Sequence, residues 1–439
     1  MRASRYLVVS DTVYADGRGN PVRLVLNTRT SRVCTLGDNL AWALRHGDCA
    51  TLPVEVSDQL SDLKILVPEG RDELTDVMDE QRAKARSLAS LNYVLVPTGY
   101  CNLGCEYCGQ VHVRGKTSAN HRGAVRDRIL RGIRRPSTEE VQVGWFGGEP
   151  LMAYAIVRDL ARQFVEAAEA EGVRYRSRMT TGGALLTMPK LRALYEECRI
   201  SSLCLTMDGI GDRRSPHEQI LSVLADLVAH ADEFPGLRLT IRSSLDVKDV
   251  NRVDAFIDAM VSAGLNHPMI EFDLRVVQGW SNDASTTRTA RQRFAAAEPR
   301  WLRRMHEVGM VTRTLIPAQL RGPLCPAVTR TAEVISSSGA IFSCTEHPLV
   351  PEHEQGDVLE LVEHADHDRQ RPAGRYDDWH DRINRGEQSC AGCVFLPVCG
   401  GSCPKHWGEG NSPCPSYKFN IQQRLDLEAA RTGLTPLLT

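Results

Sequence analysis

Through the middle of the chain, short apolar runs alternate with stretches of helical periodicity. Runs at 93–96, 141–146, 175–181, 203–207, 237–242 and 270–276 predict strands. The 3.6-residue pattern at 124–132, 155–171, 189–197, 220–231 and 250–263 predicts a helix between each pair. A strand that is followed each time by a helix returns in the same direction, so the sheet is expected to be parallel. Six such units suit a partial (β/α)6 barrel better than a closed eight-stranded one. The fold class expected is therefore α/β, with this core over 91–280.

The flanks read differently. Over 1–90, two apolar runs, 5–10 and 22–27, enclose the turn-rich 16–21, which predicts a hairpin. Short helices are expected over 40–44 and from Ser57 to Leu66, giving a small α+β domain, with 72–89 as a charged, helix-prone linker. Residues 278–297 are polar and predict a boundary loop, and 281–320 is read as a linker with a bridging helix through Trp301, Leu302 and Met305. A second hairpin, 333–335 and 341–343 around Gly339, opens a cysteine-rich domain over 321–420. Helical character from Ser416 to Arg431 leaves 421–439 as a C-terminal helix and tail.

At 439 residues the chain exceeds the roughly 250–300 at which one core stops growing. Net charge is −2 with both signs interleaved, so no nucleic-acid footprint is visible. No apolar run approaches the ~18 residues of a membrane span. The N-terminus lacks a signal-like apolar region, and a cytoplasmic location with no membrane partner is expected. Fourteen cysteines in that reducing compartment point to metal rather than disulfides.

Three thiols, Cys101, Cys105 and Cys108, stand at Cys-x3-Cys-x2-Cys spacing just after the first core strand. Iron–sulfur clusters take thiolate ligands, and three of them leave one iron of a four-iron cluster open, whereas structural zinc favours a closed set of four. On spacing alone, a half zinc site or three packed thiols remain alternatives. The loop, with aromatic Tyr107 before its third cysteine, resembles the signature of the radical S-adenosylmethionine (SAM) enzymes. That resemblance implies a 4Fe-4S cluster whose open iron binds SAM, and one-electron cleavage to a hydrogen-abstracting 5'-deoxyadenosyl radical. It also implies an electron donor such as flavodoxin or ferredoxin.

The second core strand ends in Gly147-Gly148-Glu149-Pro150, similar to the family segment that contacts the SAM amino group. The third runs into Thr180-Thr181-Gly182-Gly183-Ala184-Leu185-Leu186, which departs from the related Thr-Asn-Gly-Thr-Leu-Leu segment at Gly182 and Ala184. A polar contact made there by Asn must be lost or supplied elsewhere. Asp208, at the end of the fourth strand, resembles the family's Ser-x-Asp-Gly and is a candidate catalytic residue, though a plain Asp-Gly turn also explains it. Ser243, on the fifth strand, is a candidate contact to the SAM ribose or carboxylate by position.

In the last third, Cys325, Cys344, Cys390, Cys393, Cys399, Cys403 and Cys414 follow an order that resembles the SPASM domain. The resemblance implies two auxiliary 4Fe-4S clusters, one on Cys390, Cys393, Cys399 and Cys414, the other on Cys325, Cys344 and Cys403. The eighth cysteine of some members is missing, which leaves one iron of the inner cluster open to substrate, or to Glu346 or His347. Cys34, Cys49, Cys198 and Cys204 read as small buried thiols.

The family implies a maturase that modifies a ribosomally synthesised precursor peptide, forming a thioether or a side-chain cross-link. The N-terminal domain is similar in layout to a winged-helix leader-binding element, or is simply a cap on the barrel. Other readings are a formylglycine-generating maturase, an epimerase using Cys204, and a non-catalytic iron–sulfur carrier or peptide-binding scaffold.

Overall fold

A computed structural model describes residues 1–49, 52–103, 105, 108, 110, 112, 117–207, 217–245, 252–277, 284–313, 315–348, 353–363 and 370–437. Its spine is a ten-stranded sheet. Ser90–Leu95, Glu140–Trp145, Arg174–Thr181, Ile200–Thr206, Arg238–Leu245 and Ile270–Val276 lie side by side in chain order, all parallel. The helices Ala119–Ile133, Tyr154–Glu171, Met188–Glu196, His217–Ala229 and Val253–Ser262 cross between them as the periodicity predicts.

Successive strand side chains point to opposite faces. Tyr93, Val143, Trp145, Met179, Leu203, Leu205, Leu239 and Ile241 pack with the helical residues Ile129, Phe164, Leu224 and Ile257 into one large core. Each such side chain withdrawn from water contributes about 1.5–3 kcal/mol. The other face carries polar residues, among them Arg178, Cys204, Arg242 and Asp273. That face is the inner wall of the partial barrel.

The hairpin Ala332–Ile335 and Ala340–Phe342 extends this sheet, its first strand lying parallel to Ser90–Leu95. A buried ion pair fastens it there: Arg128 of the first crossover helix donates from Nε and Nη2 to Glu333, with the two side chains 1% and 2% exposed. Removing one partner strands the other charge in a dry core. Arg128→Ala is expected to lower the urea-unfolding free energy by about 3–5 kcal/mol. An unchanged midpoint would show the pair to be dispensable.

The flanks pack more tightly than their composition suggested. Residues expected in a boundary loop are helical from Ala284, within Ala284–Glu307, and 278–283 lie outside the described residues. Phe294, Ala295, Trp301 and Met305 are buried along that helix, and their burial outweighs both its Ser/Thr-rich start and Pro299 inside it. The charged stretch after Asp72 is the helix Glu73–Arg86, capped by Asp72 accepting from Leu74 N at 3.1 Å and Thr75 N at 3.2 Å. Its Val77 and Met78 pack with Tyr6, Trp379 and Ile383, so the segment joins the N-terminal and cysteine-rich regions instead of tethering them loosely.

Pro21–Asn27 is the middle strand of a five-stranded antiparallel sheet with Leu7–Val9, Tyr14–Ala15 and Arg32–Gly37. Its fifth strand is Thr435–Pro436, so the expected tail returns to the N-terminal sheet. The helix Tyr417–Arg431 lies between, burying Ile421 and Leu425 against Tyr14, Leu24 and Leu26. Among the described residues no helix is long and apolar enough to cross a membrane.

His380, in the helix Trp379–Asn384, is 3% exposed. Burial, helped by Arg82, pushes its imidazole down to about 4 from the usual 6.5. The unfolded chain therefore binds this proton more readily than the folded one. Stability is expected to be full above pH 6.5 and to fall, by up to about 3 kcal/mol, as pH drops towards 4. His380→Gln should flatten that part of a urea-midpoint-versus-pH curve.

Candidate functional site

The parallel strands converge on the cysteine loop at their C-terminal ends, where sheets of this kind place their chemistry. Ser90–Leu95 feeds the chain directly into it. Cys101, Cys105 and Cys108 come close enough for each of the other two to raise the Cys101 pKa, after burial, the largest cause, and alongside Glu149. Thiolates crowded in this way repel one another unless a cation sits among them, and a thiolate-bound cluster supplies that cation. Tyr107 lies outside the described residues, as does Asp208.

The Gly147-Gly148-Glu149-Pro150 turn locks against the loop through backbone. Glu149 N–H donates to the Tyr100 carbonyl at 2.9 Å, immediately before Cys101. A Cβ on Gly148 would fall 2.3 Å from the Tyr100 oxygen, so only glycine permits the approach. Gly147 holds φ +102°, and Pro150 opens the short helix Pro150–Ala153.

The Glu149 carboxylate is 2% exposed and faces inward. Its Oε1 accepts from Thr181 Oγ1 at 2.7 Å and Leu151 N at 2.9 Å, and its Oε2 from Gly182 N at 2.9 Å. Burial pushes its pKa up, and these bonds pull it back. One side chain thereby ties the second and third strand ends together.

Gly182, where the Thr-Asn-Gly-Thr-Leu-Leu segment that it resembles has Asn, sits under Leu103: a Cβ there would lie 2.4 Å from Leu103 Cδ1. The departure from the pattern makes room for an apolar residue of the cysteine loop. Ser243 shares the strand face of Leu239, Ile241 and Leu245 and is 3% exposed, turned to the helical layer. Its neighbours Arg242 and Ser244 take the inner wall.

The cysteine-rich region gathers its thiols into two groups. Cys390, Cys393, Cys399 and Cys414 line one cavity together with Phe395, Leu396 and Trp407. Burial pushes Cys390 up to about 11 and Cys399 up to about 12, with the neighbouring thiols adding to both. Cys325, Cys344 and Cys403 form the other group: burial raises Cys325 to about 12 and raises Cys344, and Cys403 adds to each. Among the described residues no three His, Cys, Asp or Glu side chains converge as on a single metal ion. A four-iron cluster binds each thiolate through a different iron, so it needs the ligands arrayed around a volume. The donor chemistry and the lined cavity fit clusters.

Several groups that touch these sulfurs carried no signal in the sequence. His112 bridges Cys108 Sγ at 3.4 Å and the Gly99 carbonyl at 3.1 Å. Lys418 Nζ donates to Cys414 Sγ at 3.4 Å, Ser412 Oγ lies 3.2 Å from the same sulfur, and the Tyr417 hydroxyl bonds Cys399. Hydrogen bonds of this kind tune cluster potentials. Lys418 and Tyr417 are assigned by folding alone, since spacing after the last cysteine does not reveal which turn of a helix faces it.

No protein family and no curated protein matches this sequence. Among solved structures, anSMEcpe with bound AdoMet and the Cp18Cys peptide is similar at 13% identity and TM-score 0.57, over 78% of this chain and 97% of that one. A histidine-tagged form of anSMEcpe with bound AdoMet gives 12% identity and TM-score 0.54 over 78% and 97%. Streptococcus suis SuiB bound to precursor peptide SuiA gives 16% and 0.46 over 94% and 98%. In its cysteine motifs and in its fold, this chain resembles the radical SAM enzymes that carry a SPASM domain.

Proposed function

We propose that this chain is a cytoplasmic radical SAM/SPASM maturase that modifies a ribosomally made precursor peptide, forming a thioether or a side-chain cross-link. The observation that carries the reading is the junction of the Cys101–Cys105–Cys108 loop with Gly148 and Glu149 at the C-terminal mouth of a parallel sheet. When bound, a four-iron cluster and SAM supply a one-electron cleavage to methionine and a hydrogen-abstracting 5'-deoxyadenosyl radical.

The chain's own share is placement. Cys101, Cys105 and Cys108 would hold that cluster, and the Gly147–Pro150 turn would hold the SAM amino group. The polar inner wall would position the peptide, and the barrel would exclude water from the reacting carbon. Cys390, Cys393, Cys399 and Cys414 would hold one auxiliary cluster and Cys325, Cys344 and Cys403 the other, as routes for the electron left after bond formation. A flavodoxin or ferredoxin would supply the initial electron.

Cys204 occupies the inner wall, opposite Thr180 and Thr240 in the register. That position favours epimerisation as a second reading, with the thiol as hydrogen-atom donor, and solvent deuterium at a product Cα would establish it. The primary test is anaerobic reconstitution with iron and sulfide, then dithionite and SAM, with 5'-deoxyadenosine measured by chromatography. SAM recovered intact from iron-loaded protein would overturn the enzyme reading in favour of an electron carrier or scaffold.

A further inference from the structure

Among the described residues, the inner wall carries more positive charge than its own carboxylates neutralise. Asp273 Oδ2 is shared by Arg275 Nε at 2.8 Å, Arg242 Nε at 3.1 Å and Arg313 Nη1 at 3.5 Å. One carboxylate thus serves three guanidinium groups from adjacent positions of the parallel register, where Arg242 stands beside Asp273. Glu346, from beyond Cys344, is a further acid within electrostatic reach of Arg242 and Arg275. Lys405, which also faces Glu346, is already paired with Glu409 at 2.8 Å.

Arg178 adds a fourth guanidinium. Among the described residues it has neither a hydrogen-bond nor an ion-pair partner, and it feels the repulsion of Arg313. Its stem lies across Gly144, where a Cβ would stand 3.1 Å from Arg178 Nε. A side chain at 144 would make the arginine give way by a few tenths of an ångström. Arg178 and Arg275 are both solvent-accessible yet desolvated by surrounding protein, as groups lining an internal cavity are. A carboxylate shared among three guanidinium groups leaves them able to take another, and a planar guanidinium fork matches a carboxylate in two parallel hydrogen bonds.

We propose that Arg178, Arg242, Arg275 and Arg313 form a subsite for a carboxylate of the peptide substrate, either an Asp or Glu side chain or the C-terminal carboxylate. The proposal rests on the maturase reading and narrows its substrate to peptides that place an acid at the reacting end. Arg178, Arg275 and Arg313 rise away from the fifth strand, where a SAM ribose or carboxylate contact is expected, and this argues for substrate at those three. The cysteine loop and the Gly147–Pro150 turn follow the first and second core strands, whereas the arginines rise from the third, fifth and sixth and from the segment after Val311–Thr312.

The test uses the reconstituted full chain with SAM bound and four synthetic probes: acetyl-Gly-Asp-Gly-amide, its Asn counterpart, and acetyl-triglycine as free acid and as amide. Calorimetry is expected to show at least one acid binding tenfold or more tighter than its neutral partner, about 1.4 kcal/mol. Preference within the Asp/Asn pair assigns a side-chain carboxylate, and preference within the acid/amide pair assigns the C-terminus. Arg178→Gln and Arg313→Gln should each bring the preference to within twofold of unity, while Arg178→Lys retains part of it.

Equal binding of acids and neutral partners, or no binding of either acid at millimolar concentration, overturns the subsite. So does a variant that keeps the acid preference but loses tenfold in SAM affinity, which would hand the arginines to the cofactor carboxylate. Measuring 5'-deoxyadenosine in the same samples separates the two readings. Acid preference without SAM cleavage sinks the maturase and leaves the subsite, and SAM cleavage without acid preference does the reverse.

Discussion

Replacing Cys101, Cys105 and Cys108 together with alanine is expected to abolish 5'-deoxyadenosine formation and to lower reconstituted iron from about twelve to about eight per chain, one four-iron cluster of three. Cys105 and Cys108 stand close enough to Cys101 to raise its pKa, so the three are proposed as one ligand set and are removed together. The auxiliary groups are lined by different residues and should keep their iron. Loss of all iron would mean that the sites assemble as one unit. Retained SAM cleavage would remove the loop from the chemistry altogether.

Gly148→Ala is expected to cost on the order of a hundredfold in 5'-deoxyadenosine formation, because a displacement near 1 Å in a positioned site has that effect. The added Cβ meets backbone: the Tyr100 oxygen at 2.3 Å, its carbonyl carbon at 2.7 Å and the Gly99 carbonyl carbon at 3.1 Å. No rotamer relieves that contact. The Tyr100 carbonyl must move, which breaks its bond from Glu149 N and shifts Cys101, the next residue. Iron content is expected to fall less than activity. Gly123→Ala is the control, since a Cβ there meets nothing within 4 Å, and it should match wild type. A fully active Gly148→Ala enzyme would show that the turn tolerates displacement from the loop.

Parts of this molecule are legible from residue order. The six core strands and five crossover helices fall where the alternation of periods places them, because each element must bury one face and the sheet needs a cover. Cys101, Cys105 and Cys108, the proposed cluster ligands, stand within eight residues, so their proximity needs no long-range contact. The two groups of cysteines from Cys325 onward are what the SPASM resemblance implies; Cys390, Cys393, Cys399 and Cys414 line one cavity, and Cys403 lies near enough to Cys325 and Cys344 to raise both.

Other features needed the fold. Ser243 is a site candidate because it stands at the end of the fifth strand, yet it points into the helical layer, and the residue one place away, Arg242, faces the cavity. A strand with a period of two offers both faces, and only packing chooses between them. The polar loop expected over 278–297 became helix from Ala284 because Phe294, Trp301 and Met305 gain a buried partner surface that no local window contains. The last strand, Thr435–Pro436, crosses the whole chain to pair with Tyr14–Ala15.

The sequence by itself determined what is local: the elements, their order, the cysteine loop and the glycines that let backbone approach it. Tertiary structure alone decided what is gathered across strands. Arg242, Arg275 and Arg313 give no periodic signal, and their convergence on Asp273 exists only once parallel register aligns Arg242 with Asp273 and brings Arg313 alongside. Charge is summed over space, and the chain order does not contain that sum.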